Sequence, residues 1–124
     1  FVPADTVRAL AEERLAAALL VPAMIQACLV MVPDVAARRY DTLRFIIYGA
    51  SPIAADTLRR ALEVFQCDFS QGYGMTETTA ALTALTPADH RRALHDRPEL
   101  LLSAGRPLPG TTVSADRGAP GAGL

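Results

Sequence analysis

Nine consecutive residues concentrate the chemistry this chain can offer: Gln71-Gly72-Tyr73-Gly74-Met75-Thr76-Glu77-Thr78-Thr79. Glycines let a backbone approach a ligand closely and take conformations that other residues avoid. The Tyr73 ring between two of them can lie against a flat heterocycle. Thr76 and Glu77 side by side offer a hydroxyl and a hard oxygen ligand. Mg²⁺ beside a phosphate uses that combination, one or two carboxylates with water and phosphate oxygens completing the shell. The same residues also fit a plain loop in which Thr76 or Thr78 caps a short turn.

The elements that must position this stretch can be read from apolar spacing. Residues 4 to 18 are expected to form a helix, because Val7, Leu10, Ala11, Leu15 and Ala18 recur at three- and four-residue intervals. Leu19-Leu20-Val21 suits a short buried strand. Pro22 suits the first turn of a second helix, where its missing N–H costs nothing, with Ile25, Cys28, Leu29 and Val32 as its buried stripe. Residues 35 to 41 form a polar connection. Residues 43 to 48 are the clearest strand, a near-continuous apolar run of the kind found in parallel strands covered on both faces. Gly49-Ala50-Ser51-Pro52 is then a turn, with Ser51 as cap and Pro52 opening a helix that ends at Phe65. Residues 68 to 71 form the next strand and lead into the nine-residue stretch. Strand, helix and strand in alternation predict an α/β layer of parallel strands flanked by helices. Ligands gather beyond the carboxyl ends of such strands, so 49–52 and 72–77 are expected to share one.

After Ala84 the pattern weakens. Residues 86 to 89 read as a turn or cap and 90 to 102 as a surface excursion, with His90 and His95 exposed to solvent. Residues 114 to 124, rich in Gly and Pro without periodicity, are expected to be disordered.

The 124 residues make one domain at most. A net charge of −1 gives no electrostatic case for nucleic acid or an anionic membrane. All 12 basic residues are Arg. The longest apolar run, 15 to 33, is broken by Pro22 and Gln26, which excludes a transmembrane segment from this reading. Cys28 and Cys67 have neither metal-site nor secreted-disulfide spacing and are expected to be buried free thiols in a reducing cytoplasm.

Three segments carry a resemblance. Gln71 to Thr79 resembles the adenylate-binding loop of the adenylate-forming superfamily, which includes acyl-CoA synthetases, luciferases and peptide-synthetase adenylation domains. Leu43 to Ile53 resembles the strand and Gly-Ala-x-Pro turn that precede that loop, and Gly105-Arg106-Pro107-Leu108-Pro109-Gly110 resembles the segment that follows it. Within the superfamily the likeness is strongest to fatty-acyl-CoA ligases and covers residues 1 to 113, as a part of their large N-terminal domain.

The resemblance implies ATP, Mg²⁺ and coenzyme A as participants, with a nucleotide and a fatty acid as ligands. It assigns the adenine site to Ala50, Ser51, Pro52, Gly72, Tyr73 and Gly74. Thr76 and Glu77 become the catalytic pair, Thr76 on the α-phosphate and Glu77 on Mg²⁺. Tyr48, Gly74 and Met75 border the acyl chain. The resemblance places the family's phosphate loop upstream of this stretch and its ribose-binding Asp downstream, and the catalytic Lys has no counterpart because the chain has no Lys; Arg presents its charge as a planar fork rather than a compact ammonium. The expectation is therefore a ligase fragment that is inactive alone. Two alternatives stay open: a non-catalytic remnant or partner-binding fragment that binds the missing remainder or self-associates, and a small free-standing nucleotide-binding domain.

Overall fold

A computed structural model describes residues 1–114, so the Gly/Pro-rich tail lies outside the described residues apart from Ser114. A five-stranded sheet in the order β1-β2-β3-β4-β5 forms its frame. The strands are β1 (Ala17–Leu20), β2 (Phe45–Tyr48), β3 (Asp68–Met75), β4 (Ala80–Leu85) and β5 (Arg106–Pro107). The helices are α1 (Pro3–Glu12), α2 (Pro22–Met31), α3 (Ala55–Phe65) and α4 (Pro87–His95). β1, β2 and β3 run parallel, while β4 and β5 are antiparallel additions at one edge. The parallel α/β layer expected from the sequence is present, enlarged by a hairpin that periodicity did not reveal.

Period-2 alternation decides which residues enter the core. Leu20, Ile46, Tyr48, Phe69 and Leu85 are buried with the apolar stripes of the helices: Val7 and Leu10 of α1, Ile25, Cys28 and Leu29 of α2, Leu58, Ala61 and Phe65 of α3. Leu19, Phe45 and Ile47 point the other way and are exposed, Leu19 to 76%. The continuous apolar run of β2 thus has one face covered, not two. Among the described residues nothing packs on the second.

Three local expectations change. The first helix stops at Glu12 rather than 18, because Arg14 takes a left-handed φ of 54° and turns the chain into β1, which starts at Ala17. The third helix starts at Ala55 with Ala54 as its N-cap and no side-chain cap. Ser51 and Pro52 stay outside it, because Ala50 has φ 70° and sends the chain through an irregular passage first. The stretch from Gln71 to Met75 is not a loop. It continues β3, pairing with β4 from Gln71 opposite Leu85 to Met75 opposite Ala80.

Residues 86 to 89 hold the cap expected of them, but 90 to 102 differ from expectation. They complete α4 and form a 3-10 turn over Pro98–Leu102, with Ala93 and Leu101 in the core. The capping box that starts α4 is visible in the sequence once sought: Thr86 accepts from the Asp89 N–H, and Asp89 accepts from the Thr86 N–H. His90 follows and is buried at 1% exposure, contrary to the surface role expected for it, whereas His95 is exposed.

Candidate nucleotide site

β2 and β3 are paired from Phe45 opposite Asp68 to Tyr48 opposite Gln71, and there β2 ends. β3 runs four residues further, to Met75, held only by β4 on its other side. The unpaired edge of this overhang faces the turn that leaves β2. Gly49 makes the approach possible: a Cβ there would lie 2.7 Å from the Gly72 carbonyl oxygen, closer than real contacts allow. The next residue, Ala50, holds its left-handed conformation without being glycine. Such strain costs on the order of 1–3 kcal/mol and concentrates at functional sites.

Turn and overhang border a cleft of about 280 Å³ lined by Ala50, Ser51, Pro52, Gln71, Gly72, Tyr73 and Gly74, and closed by Leu102, Ser103 and Ala104. All six residues that the resemblance assigns to the adenine site therefore lie together, contributed by segments some twenty residues apart. Tyr73 is 43% exposed, leaving ring area free for a ligand. Gln71 is buried, and its Oε1 has no hydrogen-bond partner among the described residues. Buried polar atoms are nearly always paired, so this oxygen is an exception within the core.

Gln71 was assigned no role from sequence. The signal was available in the alternation Phe69, Gln71, Tyr73, which sets Gln71 on one side of β3 with an aromatic neighbour. Leu102 to Ala104 had no such signal. They reach the cleft because Gly105, at φ 87°, lets the chain come against β4: a Cβ there would overlap the Ala84 carbonyl. The Thr83 hydroxyl then donates to the Ala104 carbonyl, tying this third wall to the sheet.

Thr76 and Glu77 stand apart from the cleft lining, on an exposed 3-10 turn over Thr76–Thr78. The turn is organised by Thr78, whose Oγ1 accepts from the Met75 N–H at 3.1 Å and lies 2.9 Å from the Met75 and Ala80 carbonyls. Thr76 and Glu77 side chains are thereby left unengaged in solvent just past the tip of β3. Among the described residues no group of three His, Cys, Asp or Glu could hold a metal alone.

On the bare face of the sheet lies a second, apolar groove of about 300 Å³, bordered by Leu19, Ile47, Tyr48, Gly49, Gly72, Gly74, Met75, Ala80 and Ala81. It contains all three residues that the resemblance assigns to the acyl chain. The Tyr48 ring itself is fully buried, and its hydroxyl is 2.8 Å from His90 Nε2. Gly72 and Gly74 belong to both depressions, so the glycine backbone of β3 separates them by the thickness of one strand.

The two thiols are free and buried. Burial, reinforced by the neighbouring Asp68 carboxylate and partly opposed by a backbone hydrogen bond, pushes the Cys67 thiol up to about 12. Burial likewise raises Cys28. Neither is a nucleophile at neutral pH.

Known proteins share this fold and sequence. The chain is 41% identical over 93 residues to a fatty acid–[acyl-carrier-protein] ligase, ScoC, of Streptomyces coeruleorubidus, covering 75% of this chain and 17% of that protein. It is 36% identical over 107 residues to the medium/long-chain-fatty-acid–CoA ligase FadD8 of Mycobacterium tuberculosis, covering 86% of this chain and 18% of the other. The amide bond synthetase McbA of Marinactinospora thermotolerans superposes with a TM-score of 0.72 at 32% identity, over 88% of this chain and 21% of that one. The chain thus spans less than a fifth of the length of these two ligases. A family profile described as AMP-binding enzyme matches residues 1–115. With the cleft at the tips of β2 and β3 and fatty acid ligases among its relatives, the chain belongs to the AMP-binding enzyme family.

Proposed function

We propose that residues 1–113 are the adenylate-holding part of a ligase that activates a fatty acid with ATP. A carboxylate oxygen of the acid attacks the α-phosphorus, and pyrophosphate leaves with the bonding electron pair. An acceptor nucleophile then bonds to the acyl carbonyl carbon of the acyl-adenylate, and AMP leaves with the electron pair of the broken C–O bond. For the acceptor we favour the thiol of coenzyme A. The names of the relatives include a CoA ligase, a carrier-protein ligase and an amide bond synthetase, so acyl activation is the step all three have in common and the acceptor is the variable one.

One observation carries this reading. Ala50–Pro52, in the turn after β2, and Gln71–Gly74 of β3 line one cleft, and the buried Gln71 Oε1 beside it has no partner among the described residues. A purine suits it: the flat face against Tyr73, an exocyclic amino group toward Gln71 Oε1, and the phosphate running out past the tip of β3 toward Thr76 and Glu77. There the Thr76 hydroxyl donates to an α-phosphate oxygen. Glu77 would supply one hard oxygen to Mg²⁺, an ion that takes most of its ligands from phosphate and water. When bound, that ion neutralises phosphate charge. The apolar groove across the glycines of β3, reaching Gly74 and Met75, receives the acyl chain.

This chain alone holds the nucleotide without completing ligation. It has no Lys, and removing one preorganised donor costs on the order of 10²–10³ in rate. Calorimetry tests the reading: AMP binds without Mg²⁺, and Tyr73→Ala weakens it by about 10- to 100-fold, as loss of one stacking contact of about 1–3 kcal/mol requires. Absence of AMP binding by the folded chain refutes it. A second reading, a non-catalytic partner-binding fragment, is favoured by the bare apolar face of Leu19, Phe45 and Ile47. It predicts self-association and no nucleotide affinity. We place the protein in the cytoplasm, a reading that rests on the two unpaired buried thiols; among the described residues no helix is long and apolar enough to cross a membrane.

A further inference from the structure

The nucleotide reading leaves α4 without a task, yet its first turn holds two of the four buried polar or charged residues among those described, Asp89 and His90. Their partners settle how they are wired. His90 Nδ1 is 2.7 Å from the Thr86 carbonyl oxygen, which can only accept, so Nδ1 carries the proton. Nε2 of the neutral ring is then an acceptor, and the Tyr48 hydroxyl donates to it across 42 residues of sequence. Asp89, 5% exposed, accepts from both the N–H and the hydroxyl of Thr86, and lies 3.5 Å from the Arg106 guanidinium.

Both ends of this chain of contacts reach the cleft. Tyr48 is the last residue of β2, and Gly49 and the strained Ala50 follow it directly. Arg106 lies two residues beyond Ala104, the end of the third wall. A strained turn persists only where its surroundings over-determine it, and the Tyr48 anchor is one such constraint.

Resting on the nucleotide reading, we propose that His90 is a positioning residue for the cleft: through Tyr48 it holds the 49–52 wall, and through the cap it shares with Asp89 it registers that wall against the 102–104 wall. The wiring works in one protonation state. A protonated ring would donate from both nitrogens, and the buried Tyr48 hydroxyl, whose one side-chain partner among the described residues is His90 Nε2, would have to turn its proton away from it. The groups facing His90 are Tyr48 from β2 and Thr86 and Asp89 from the cap, with Arg106 behind Asp89. Burial outweighs the Thr86 carbonyl and the Asp89 carboxylate, so His90 titrates below its ordinary 6.5. AMP affinity is therefore flat at neutral pH and declines on the acid side as His90 gains its proton.

The experiment compares the 124-residue chain with Tyr48→Phe, His90→Leu and His90→Gln. It uses amide NMR spectra without ligand and AMP calorimetry across the acid range. Gln restores an acceptor for Tyr48 but does not titrate. Phe and Leu are expected to move the amides of residues 49–51 and 103–105 together and to weaken AMP binding about tenfold, as loss of one buried hydrogen bond would. Gln should hold affinity within about threefold of the unsubstituted chain, a small fraction of that loss, and abolish the acid-side decline. Amide changes confined to residues 86–95, or equal AMP affinity in the Leu variant, overturn the proposal. If the unsubstituted chain binds no AMP, the nucleotide reading falls instead, and the amides at 49–51 and 103–105 alone judge the role of His90. Should the Leu variant not fold, Tyr48→Phe, which removes a single hydroxyl, decides.

Discussion

Gly49 and Gly72 meet backbone to backbone: a methyl group on Gly49 would sit 2.7 Å from the Gly72 carbonyl oxygen. The cleft exists because the turn leaving β2 comes this close to the overhang of β3. Gly49→Ala should push the two apart. The expected cost is about 1–3 kcal/mol, the usual penalty for overpacking, together with loss of AMP binding. Thermal melts and calorimetry on the same sample check both, and a variant with unchanged affinity would show that the contact does not shape the site.

Ala50 invites the opposite substitution. Its φ of 70° costs an L-residue about 1–2 kcal/mol that glycine does not incur, against a larger entropy loss for glycine on folding. Ala50→Gly should leave stability unchanged or raise it by up to about 1 kcal/mol, while AMP binding weakens because the turn is less fixed. Denaturant unfolding beside calorimetry separates the two effects.

Gln71 should trade stability against binding. Its buried Oε1 has no partner among the described residues, and an unsatisfied group of this kind costs about 1–3 kcal/mol. Gln71→Leu removes the group at similar volume. It should raise the melting temperature of the free chain and lower AMP affinity about tenfold, the worth of one hydrogen bond of about 1.4 kcal/mol. If both fall, Gln71 has a structural partner and no ligand.

His90 makes folding stability depend on pH. Its folded pKa lies below the ordinary 6.5 because burial disfavours the charged ring. The unfolded chain therefore binds the proton first as pH falls, and stability decreases from about 6.5 downward until the folded pKa is reached. Above that window the contribution is fully present. Urea unfolding at stepped pH should show this slope in the unsubstituted chain and lack it in His90→Gln.

Cys28 and Cys67 should be silent toward a thiol reagent at neutral pH in the folded chain and react on unfolding. Both are buried and free, and burial raises both pKa values, Cys67 to about 12. Prompt labelling of either thiol under native conditions would mean that the core opens readily.

Local pattern determined a good part of this protein. The apolar stripe of α2, the run of β2 and the helix ending at Phe65 are periodic, and periodicity is set by residues within a turn or two of each other. The two cleft segments were legible for the same reason, as glycine-bearing stretches at strand ends. What lay beyond reach depends on pairing across sequence. That Gln71 to Met75 is a strand follows from β4, whose Ala-rich segment carries no strand signal of its own. Burial of His90 follows from a Tyr 42 residues earlier, since a lone histidine after a capping box looks like solvent-facing surface until the sheet is assembled beneath it. The third wall of the cleft at 102–104 required Gly105 to meet β4. Short-range physics chose the elements, and long-range contacts, which no local window contains, chose where the cleft's walls would meet.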